Sequence, residues 1–531
     1  VQPKTAPAIP PKARPETILT LVLCPQAVPA PLEHHTPPQH LTHDELAERH
    51  GAGSDATEQL HAFVREHGLR LDGVDAAQRI ARIAGTDEAV RAAFPAGVQV
   101  PEPLAGVVQF VLGFHDGPAA RRRGLSPREA GAKAVRVRDF ASAYGFAAER
   151  SAAGQTIAVI EFGGGFRHAD IADFCRRNNF PMPEIEVVAL PGAGNKPAPE
   201  FAVRGMLSVV DGDIRLAAAA EALPEIEDAQ ATVEVTMDLE LLAALAPGAR
   251  LVVYFAPPTE QGLYDALHRA IYSRHYSPDV LSISWGEPET TLSAHYIHAV
   301  DHLLLAAARL GITVCASSGD AGALNHSPDK LPAVNFPAGS PHCLACGGTT
   351  PTFTAHAGGR TELAREVVWN STHYHLRGAT GGGVSRVFGV PAWQAHADVP
   401  VGPTGFAGRG VPDVAGPADP RSGCELRIYD VPFASAGTSA AAPLWAALIA
   451  CCNQALGGRL GHVNPHLYSI GHQGLPGLRP VTDGHNDGYA ARAGWNACTG
   501  WGSPAAADLI APLAALLRLR PASDAPEQPV P

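Results

Sequence analysis

Four short segments of this chain carry side chains able to do chemistry. The first is Gly437-Thr438-Ser439-Ala440-Ala441-Ala442-Pro443, followed by Leu444, Trp445, Leu448 and Ile449 at helical spacing. The Gly-Thr turn puts Ser439 at the start of a buried helix, where free N–H groups and the helix dipole favour negative charge. An attacking serine oxygen and its oxyanion gain most there. The competing reading is a serine that merely caps its helix. Pro443 weighs against it, because it removes the helix bond back to the Ser439 carbonyl. The second segment is Glu234-Val235-Thr236-Met237-Asp238. Residues i and i+4 share a helix face, so the two carboxylates point the same way and repel. They form either a solvated acidic edge or a proton-sharing unit, and the apolar neighbours Val233, Leu239, Leu241 and Leu242 argue against full exposure. The third segment, Ser317-Ser318-Gly319-Asp320-Ala321-Gly322, offers an acid that could cap a turn or face a ligand. The fourth, Ser282-Ile283-Ser284-Trp285-Gly286, could run beside an extended peptide or be core.

These segments need elements to hold them. Short apolar runs at 156–161, 250–255, 279–284 and 312–317 read as strands, and helical spacing fills 168–177, 231–246, 261–273 and 293–310. Continuous apolar strands alternating with helices give a parallel sheet covered on both faces. Its active residues belong at the carboxyl ends of the strands, where Ser284 and Ser317 fall. Before residue 138 the texture differs. Residues 1–16 are Pro-rich and read as a disordered arm. A strand at 17–24, helices over 43–66 and 75–94 and a strand at 107–114 make a small α+β unit over 17–115. Residues 116–137, with Arg121-Arg122-Arg123, read as a linker that is either a solvated connection or a site of cleavage. Residues 516–531 form a Pro-rich tail.

Composition narrows the choice. The chain has 531 residues, 46% of them apolar and only 17% charged. Its formal charge of −12 argues against nucleic acid as the main partner. Protonating all 24 His would move that balance to +12, which suits solubility in acid. Nine Cys are too few and scattered for a disulfide scaffold. Cys343 and Cys346 form a lone CxxC without a second pair at zinc spacing, and read as buried. No apolar run reaches the ~18 residues of a membrane span; the longest, Ala440 to Cys452, holds Pro443. The first twenty residues lack the blocks of a signal peptide, and the chain opens on Val, which leaves room for an upstream segment.

GTSxxxP is shared by subtilisin-like and sedolisin-like peptidases. A subtilisin-like triad needs a His, usually in HGT, and this chain has no HGT. From about 138 to 510 it resembles the sedolisins, or serine-carboxyl peptidases, and most of all their kumamolisin-like branch. The matching stretches, in family order, are IAVIEFGGGF (157–166), EVTMDLELLAALAPGA (234–249), VLSISWG (280–286), ASSGDAG (316–322), NFPAGSPHCLACGGT (335–349), TGGGVSRVF (380–388), RGVPDVAG (409–416) and GTSAAAPLWAAL (437–448). The resemblance implies a subtilisin-like parallel sheet flanked by helices, preceded by a small ferredoxin-like activation prodomain. It implies Ser439 as nucleophile, Glu234 as general base, Asp238 as its supporting acid and Asp320 as the acid of the oxyanion site. Glu161 and Trp285 match an outer hydrogen-bonding shell, and Ser284, Gly286, Gly381 and Asn335 match substrate-binding positions. The residue types fit acid: a Glu, ordinarily near ~4.3, is a base where His would be protonated, and an Asp donates to an oxyanion only while protonated.

The resemblance therefore implies an acid-active endopeptidase made as a zymogen, acting on proteins or peptides. Its own prodomain would be an intramolecular inhibitor, and its place outside the cell or in an acidic compartment. Neither nucleic acid nor membrane is expected as a partner. The alternatives are a His-dependent subtilisin-like peptidase and a non-catalytic binding protein on the same scaffold. Two positions depart from the family pattern. The chemistry needs no cofactor, but the family carries a structural calcium, whose positions fall here on Pro480, Val481, Arg492, Gly494 and Asn496. Proline brings no side-chain oxygen and Asn no charge, whereas a hard cation prefers carboxylates. Calcium is therefore expected to be absent, unless Asp483 or Asp487 is recruited. At 335 the branch carries an acid that favours basic residues before the cleaved bond, and Asn cannot supply that charge.

Overall fold

A computed structural model describes residues 16–27, 32, 39–114, 134–146, 151–210, 225–356, 361–372 and 378–519. Of the expected arm at 1–16 all but Glu16, which opens a strand, lies outside them, as do most of the linker and the tail beyond 519. The chain divides into two units, one of residues 1–30 and 44–116 and the other of 31–43 and 117–531.

The first unit runs β1 (Glu16–Leu23), α1 (His43–His50), α2 (Ala56–Glu66), β2 (Arg70–Asp75), β3 (Ile80–Thr86), α3 (Asp87–Ala93) and β4 (Val108–Leu112). Its sheet is antiparallel, in the order β2-β3-β1-β4. The helix expected over 75–94 is corrected here: residues 80–86 form a strand, and only Asp87–Ala93 is helical. Apolar residues at 80, 83 and 84 fit a helix locally, but β1 and β2 both pair with this segment, and tertiary pairing overrides so short a pattern. The core is Leu19, Leu21, Leu60, Phe63, Ile83, Val90, Phe94 and Val111.

The second unit starts earlier than expected. Val135 already pairs with Cys424, and α4 spans Val137–Ala143. Its main sheet is built from β5 (Thr156–Phe162), β6 (Ile185–Ala189), β7 (Arg250–Ala256), β8 (Val280–Ile283), β10 (Thr313–Ser317), β12 (Leu344–Ala355), β13 (Thr361–Val368) and β16 (Val414–Pro417). The order is β13-β12-β10-β8-β5-β7-β6, with β16 beside β12. All neighbours run parallel except β13. Among the elements between these strands are α5 (His168–Asn178), α6 (Glu200–Val210), α7 (Glu225–Leu245), α8 (Glu260–Ile271), the short β9 (Glu287–Pro288), α9 (Ala294–Arg309) and β11 (Asn335–Phe336). Hairpins β14–β15 (Gly383–Gly389, Gly408–Val411) and β17–β18 (Glu425–Ile428, Val431–Ala434) come later, then α10 (Thr438–Leu456), α11 (Asn464–Gln473) and α12 (Ala506–Leu517). The tail expected from 516 is thus helical in its first two residues.

Helices α7 and α10 pack on each other, and α10 also covers β8, β10, β12 and β16. Helix α10 is long and apolar enough to cross a membrane by length and composition, yet 83% of its apolar window is buried inside the fold. It is the core helix. Chain order reverses around β5, whose neighbours are β7 on one side and β8 on the other. That reversal is where open α/β sheets place their ligands.

Candidate active site

Three carboxyls and the serine converge at this reversal. Glu161 lies at the end of β5, Glu234 and Asp238 one turn apart on α7, and Ser439 at the first turn of α10. Glu161 and Asp238 are fully buried, whereas Glu234 and Ser439 keep a partly exposed edge. Ser439 donates its hydroxyl to the Ser284 carbonyl at 3.2 Å and also interacts with the Glu234 carboxyl. The Ser284 hydroxyl lies 2.7 Å from Asp238 Oδ2 and 3.2 Å from the Ser439 carbonyl oxygen. That carbonyl is the one Pro443 leaves without its helical partner, so Ser284 fills the gap. The Trp285 indole donates to Glu161 Oε2 at 2.9 Å.

Each of the three carboxyls retains one buried oxygen without a hydrogen bond: Glu161 Oε1, Glu234 Oε1 and Asp238 Oδ1. Burial pushes all three well above the usual carboxylate range. The neighbouring charges add to this, Glu234 acting on Glu161, Asp238 on Glu234 and Glu161 on Asp238. Hydrogen bonds from Trp285, Ser439 and Ser284 oppose the shift at Glu161, Glu234 and Asp238 respectively. Such a cluster binds protons collectively.

Asp320 follows β10 and faces Ser439 from the other side of the Gly437-Thr438 turn. Its Oδ1 accepts the Thr438 N–H at 2.8 Å and the Thr438 hydroxyl at 2.7 Å. The Thr438 oxygen in turn accepts the Gly319 N–H at 3.1 Å. Asp320 Oδ2 is left toward Gly437, whose φ is +75° and where an added Cβ would lie 2.5 Å from that oxygen. Only glycine fits both the conformation and the space. The sequence assigns Thr438 no role, and its adjacency to Ser439 is the only signal there.

The expected substrate positions also gather here. An added Cβ on Gly286 would come within 2.4 Å of Asn335 Nδ2, and one on Gly381 within 2.0 Å of the Ser318 carbonyl oxygen. Asn335 is 2% exposed; its Nδ2 donates to the Ser317 carbonyl at 3.3 Å, and its Oδ1 has no partner. Glu240, two residues past Asp238, was not anticipated. It is fully buried, accepts the Arg427 N–H at 2.8 Å, and is pushed up by burial. No hydrogen bond joins a His to Ser439 among the described residues. Cys343 and Cys346 are buried and in no disulfide, and burial raises both thiols.

The positions expected to hold calcium offer a donor set that does not fit a hard cation. Pro480 has no side-chain oxygen, and Asn496 turns its Nδ2 toward the carbonyls of Val481 and Arg492, at 3.2 and 3.3 Å. Gly494 is an exposed turn glycine at φ +76°. Asp483 pairs with Arg365, and Asp487 bonds to Asn370 and Thr372.

Comparison with known proteins identifies the family. A model described as the subtilase family matches residues 229–465. Kumamolisin from Bacillus sp. (strain MN-32) is 38% identical over 501 residues, covering 88% of this chain and 84% of its own length. Sedolisin from Pseudomonas sp. (strain 101) is 28% identical over 434 residues, covering 77% of this chain and 67% of its own. The solved structure of Pseudomonas sedolisin, a serine-carboxyl proteinase complexed with two molecules of pseudo-iodotyrostatin, has a TM-score of 0.59 at 25% identity. It covers 73% of this chain and 99% of that one. The chain is a serine-type peptidase and belongs to the sedolisin family, as a kumamolisin-like member.

Proposed function

We propose that this chain is an acid-active serine-carboxyl endopeptidase made as a zymogen, with Ser439 as nucleophile, Glu234 as base and Asp320 in the oxyanion site. The observation that carries this reading is the set of three buried carboxyls beside Ser439, each with an oxygen free to share a proton. Glu234 is assigned as the base of the three. It alone reaches the cleft edge and interacts with the Ser439 hydroxyl, and once Asp238 is protonated its repulsion of Glu234 is gone. A protonated Asp238 can donate through Ser284, whose own proton then turns to the Ser439 carbonyl.

The steps follow. Ser439 Oγ attacks the peptide carbonyl carbon, and its proton passes to Glu234. The carbonyl oxygen becomes an oxyanion and takes a hydrogen bond from protonated Asp320. Two donors already occupy Oδ1, so that proton sits on Oδ2. Collapse breaks the C–N bond, and Glu234 returns the proton to the leaving amine. Water then cleaves the acyl-enzyme with Glu234 again as base. Glu161 acts through its neighbours as a proton store, held by Trp285. The roles of base and oxyanion donor both fall to carboxyl groups rather than to a histidine, which is the ground for proposing activity in acid. Action outside the cell or in an acidic compartment is proposed on the family resemblance.

The first unit is proposed as an activation prodomain, removed by a cut within 116–137. The test is incubation of the full chain from about pH 3 to 7, wild type beside Ser439→Ala, with an unstructured protein added. Loss of an N-terminal fragment and substrate cleavage in acid by wild type alone are expected. A maximum near neutral or alkaline pH would return the chemistry to histidine.

A further inference from the structure

The loop that the family resemblance assigns to calcium is organised by a side chain instead. Asn496 is 1% exposed. Its carboxamide uses both ends. Nδ2 donates to the carbonyls of Val481 and Arg492, and Oδ1 accepts the N–H groups of Cys498 (3.1 Å) and Thr499 (3.0 Å) and the Thr499 hydroxyl (3.1 Å). Its backbone pairs both ways with Gly500. The amide orientation is fixed by this network. Turning it over would set Oδ1 against two carbonyl oxygens and Nδ2 against three donors.

We propose that the Asn496 carboxamide takes the place of the metal ion, so that residues 479–504 fold and hold without calcium. Two carbonyl dipoles aimed at one point leave their negative ends facing each other, and something positive must lie between them. A divalent cation does this with charge, but it asks for several oxygens, carboxylates preferred. The amide does it with two N–H donors, at no cost in buried charge. The remaining positions agree. Pro480 contributes nothing, while Asp483 and Asp487 are held by Arg365, Asn370 and Thr372. A carboxylate at 496 would reverse the logic. Its oxygen would face the Val481 and Arg492 carbonyls with no proton between them, and the site would then need a cation or acid.

The test uses the full chain carrying Ser439→Ala, to prevent self-digestion, near neutral pH. Thermal unfolding is followed in EDTA and in millimolar calcium, and bound calcium is measured after equilibrium dialysis. The expected result is a melting temperature equal in the two buffers within about 1 °C, with no stoichiometric calcium. The same measurement is made on Asn496→Asp. A fall in EDTA supports the proposal, and recovery in calcium shows the carboxylate recruiting the ion that the amide replaces. A wild-type protein that loses stability in EDTA or retains one calcium per chain overturns the proposal. So does an Asn496→Asp chain as stable in EDTA as its parent. If Asn496→Asp does not fold, the wild-type comparison decides alone.

Discussion

Replacing Glu289 by glutamine should flatten the pH dependence of this fold's stability. Glu289 is 3% exposed just after β9, and accepts the Arg386 N–H at 2.5 Å and the Ser385 hydroxyl at 2.7 Å. Burial pushes it from an ordinary 4.5 up to about 7, against those hydrogen bonds and the Arg386 charge. Below pH 4.5 both folded and unfolded chains hold the proton. Above it the unfolded chain ionises first, so stability falls with pH until the folded group titrates. Two and a half pH units at about 1.4 kcal/mol each amount to about 3.5 kcal/mol in full, of which about 3 kcal/mol is lost by pH 7. Glu161, Glu234, Asp238, Glu240 and Glu366 are raised by burial and act with the same sign. His40 opposes them. Burial lowers it from 6.5, so its contribution is lost as pH falls. Asp72, Asp87, Asp329 and Asp430 are lowered by arginine partners, and theirs is lost only below about pH 4. The second unit should therefore be more stable near pH 4.5 than near pH 7.5. All six tryptophans, from Trp285 to Trp501, lie in that unit, so their fluorescence reports its unfolding in urea. In a Ser439→Ala background, the difference between the two pH values should shrink by about 3 kcal/mol in Glu289→Gln. A parent more stable at the higher pH, or a variant that tracks its parent, would refute the reasoning.

Asp320→Asn keeps an acceptor for Thr438 and an N–H donor that no alkali removes. Its pH–rate profile should extend to higher pH, while Asp320→Ala falls by about 10²–10³ in kcat; equal loss in both would sink the oxyanion assignment. Thr438→Val strips a donor from Asp320 Oδ1 and leaves the Gly319 N–H bare. A fall of about 10–100-fold in kcat with little change in KM is expected, restored by Thr438→Ser; an unrestored serine variant would point to packing instead. Asn335→Asp places a carboxylate against Gly286. Profiling on a peptide library should show a gain for Lys or Arg before the cleaved bond, and an unchanged profile would remove Asn335 from the substrate pocket.

The central strands β5, β7, β8 and β10 were legible because they are almost wholly buried, whereas β6 and β13, half-exposed, were not. The runs at 156–161 and 250–255 are apolar apart from Thr156, Glu161 and Arg250, and that pattern has few other uses. The 75–94 segment was not legible, because a seven-residue strand followed directly by a seven-residue helix carries mixed spacing, and its partners in β1, far back in the chain, decide the outcome. At the site, the family resemblance brought Ser439, Glu234, Asp238 and Asp320 together; residue types alone left a helix cap and a solvated acidic edge open. What escaped was partnership. Nothing in Ser284 indicates that its hydroxyl would lie between Asp238 and the carbonyl freed by Pro443. Nor does Asn496 disclose which of its amide atoms faces the carbonyls. Such contacts depend on side chains meeting from distant segments, and spacing along a chain does not encode them.

Helix α10 carries a consequence for biosynthesis. The carboxyls are all in place by residue 320, but the nucleophile and the helix that covers β8, β10, β12 and β16 arrive only at 438–456. A nascent chain shorter than that has a bare sheet face and no reactive serine. Emergence of one apolar segment completes the core and arms the chemistry together. A ribosome-bound or C-terminally truncated chain is thus a client for chaperones rather than a hazard to the proteins around it.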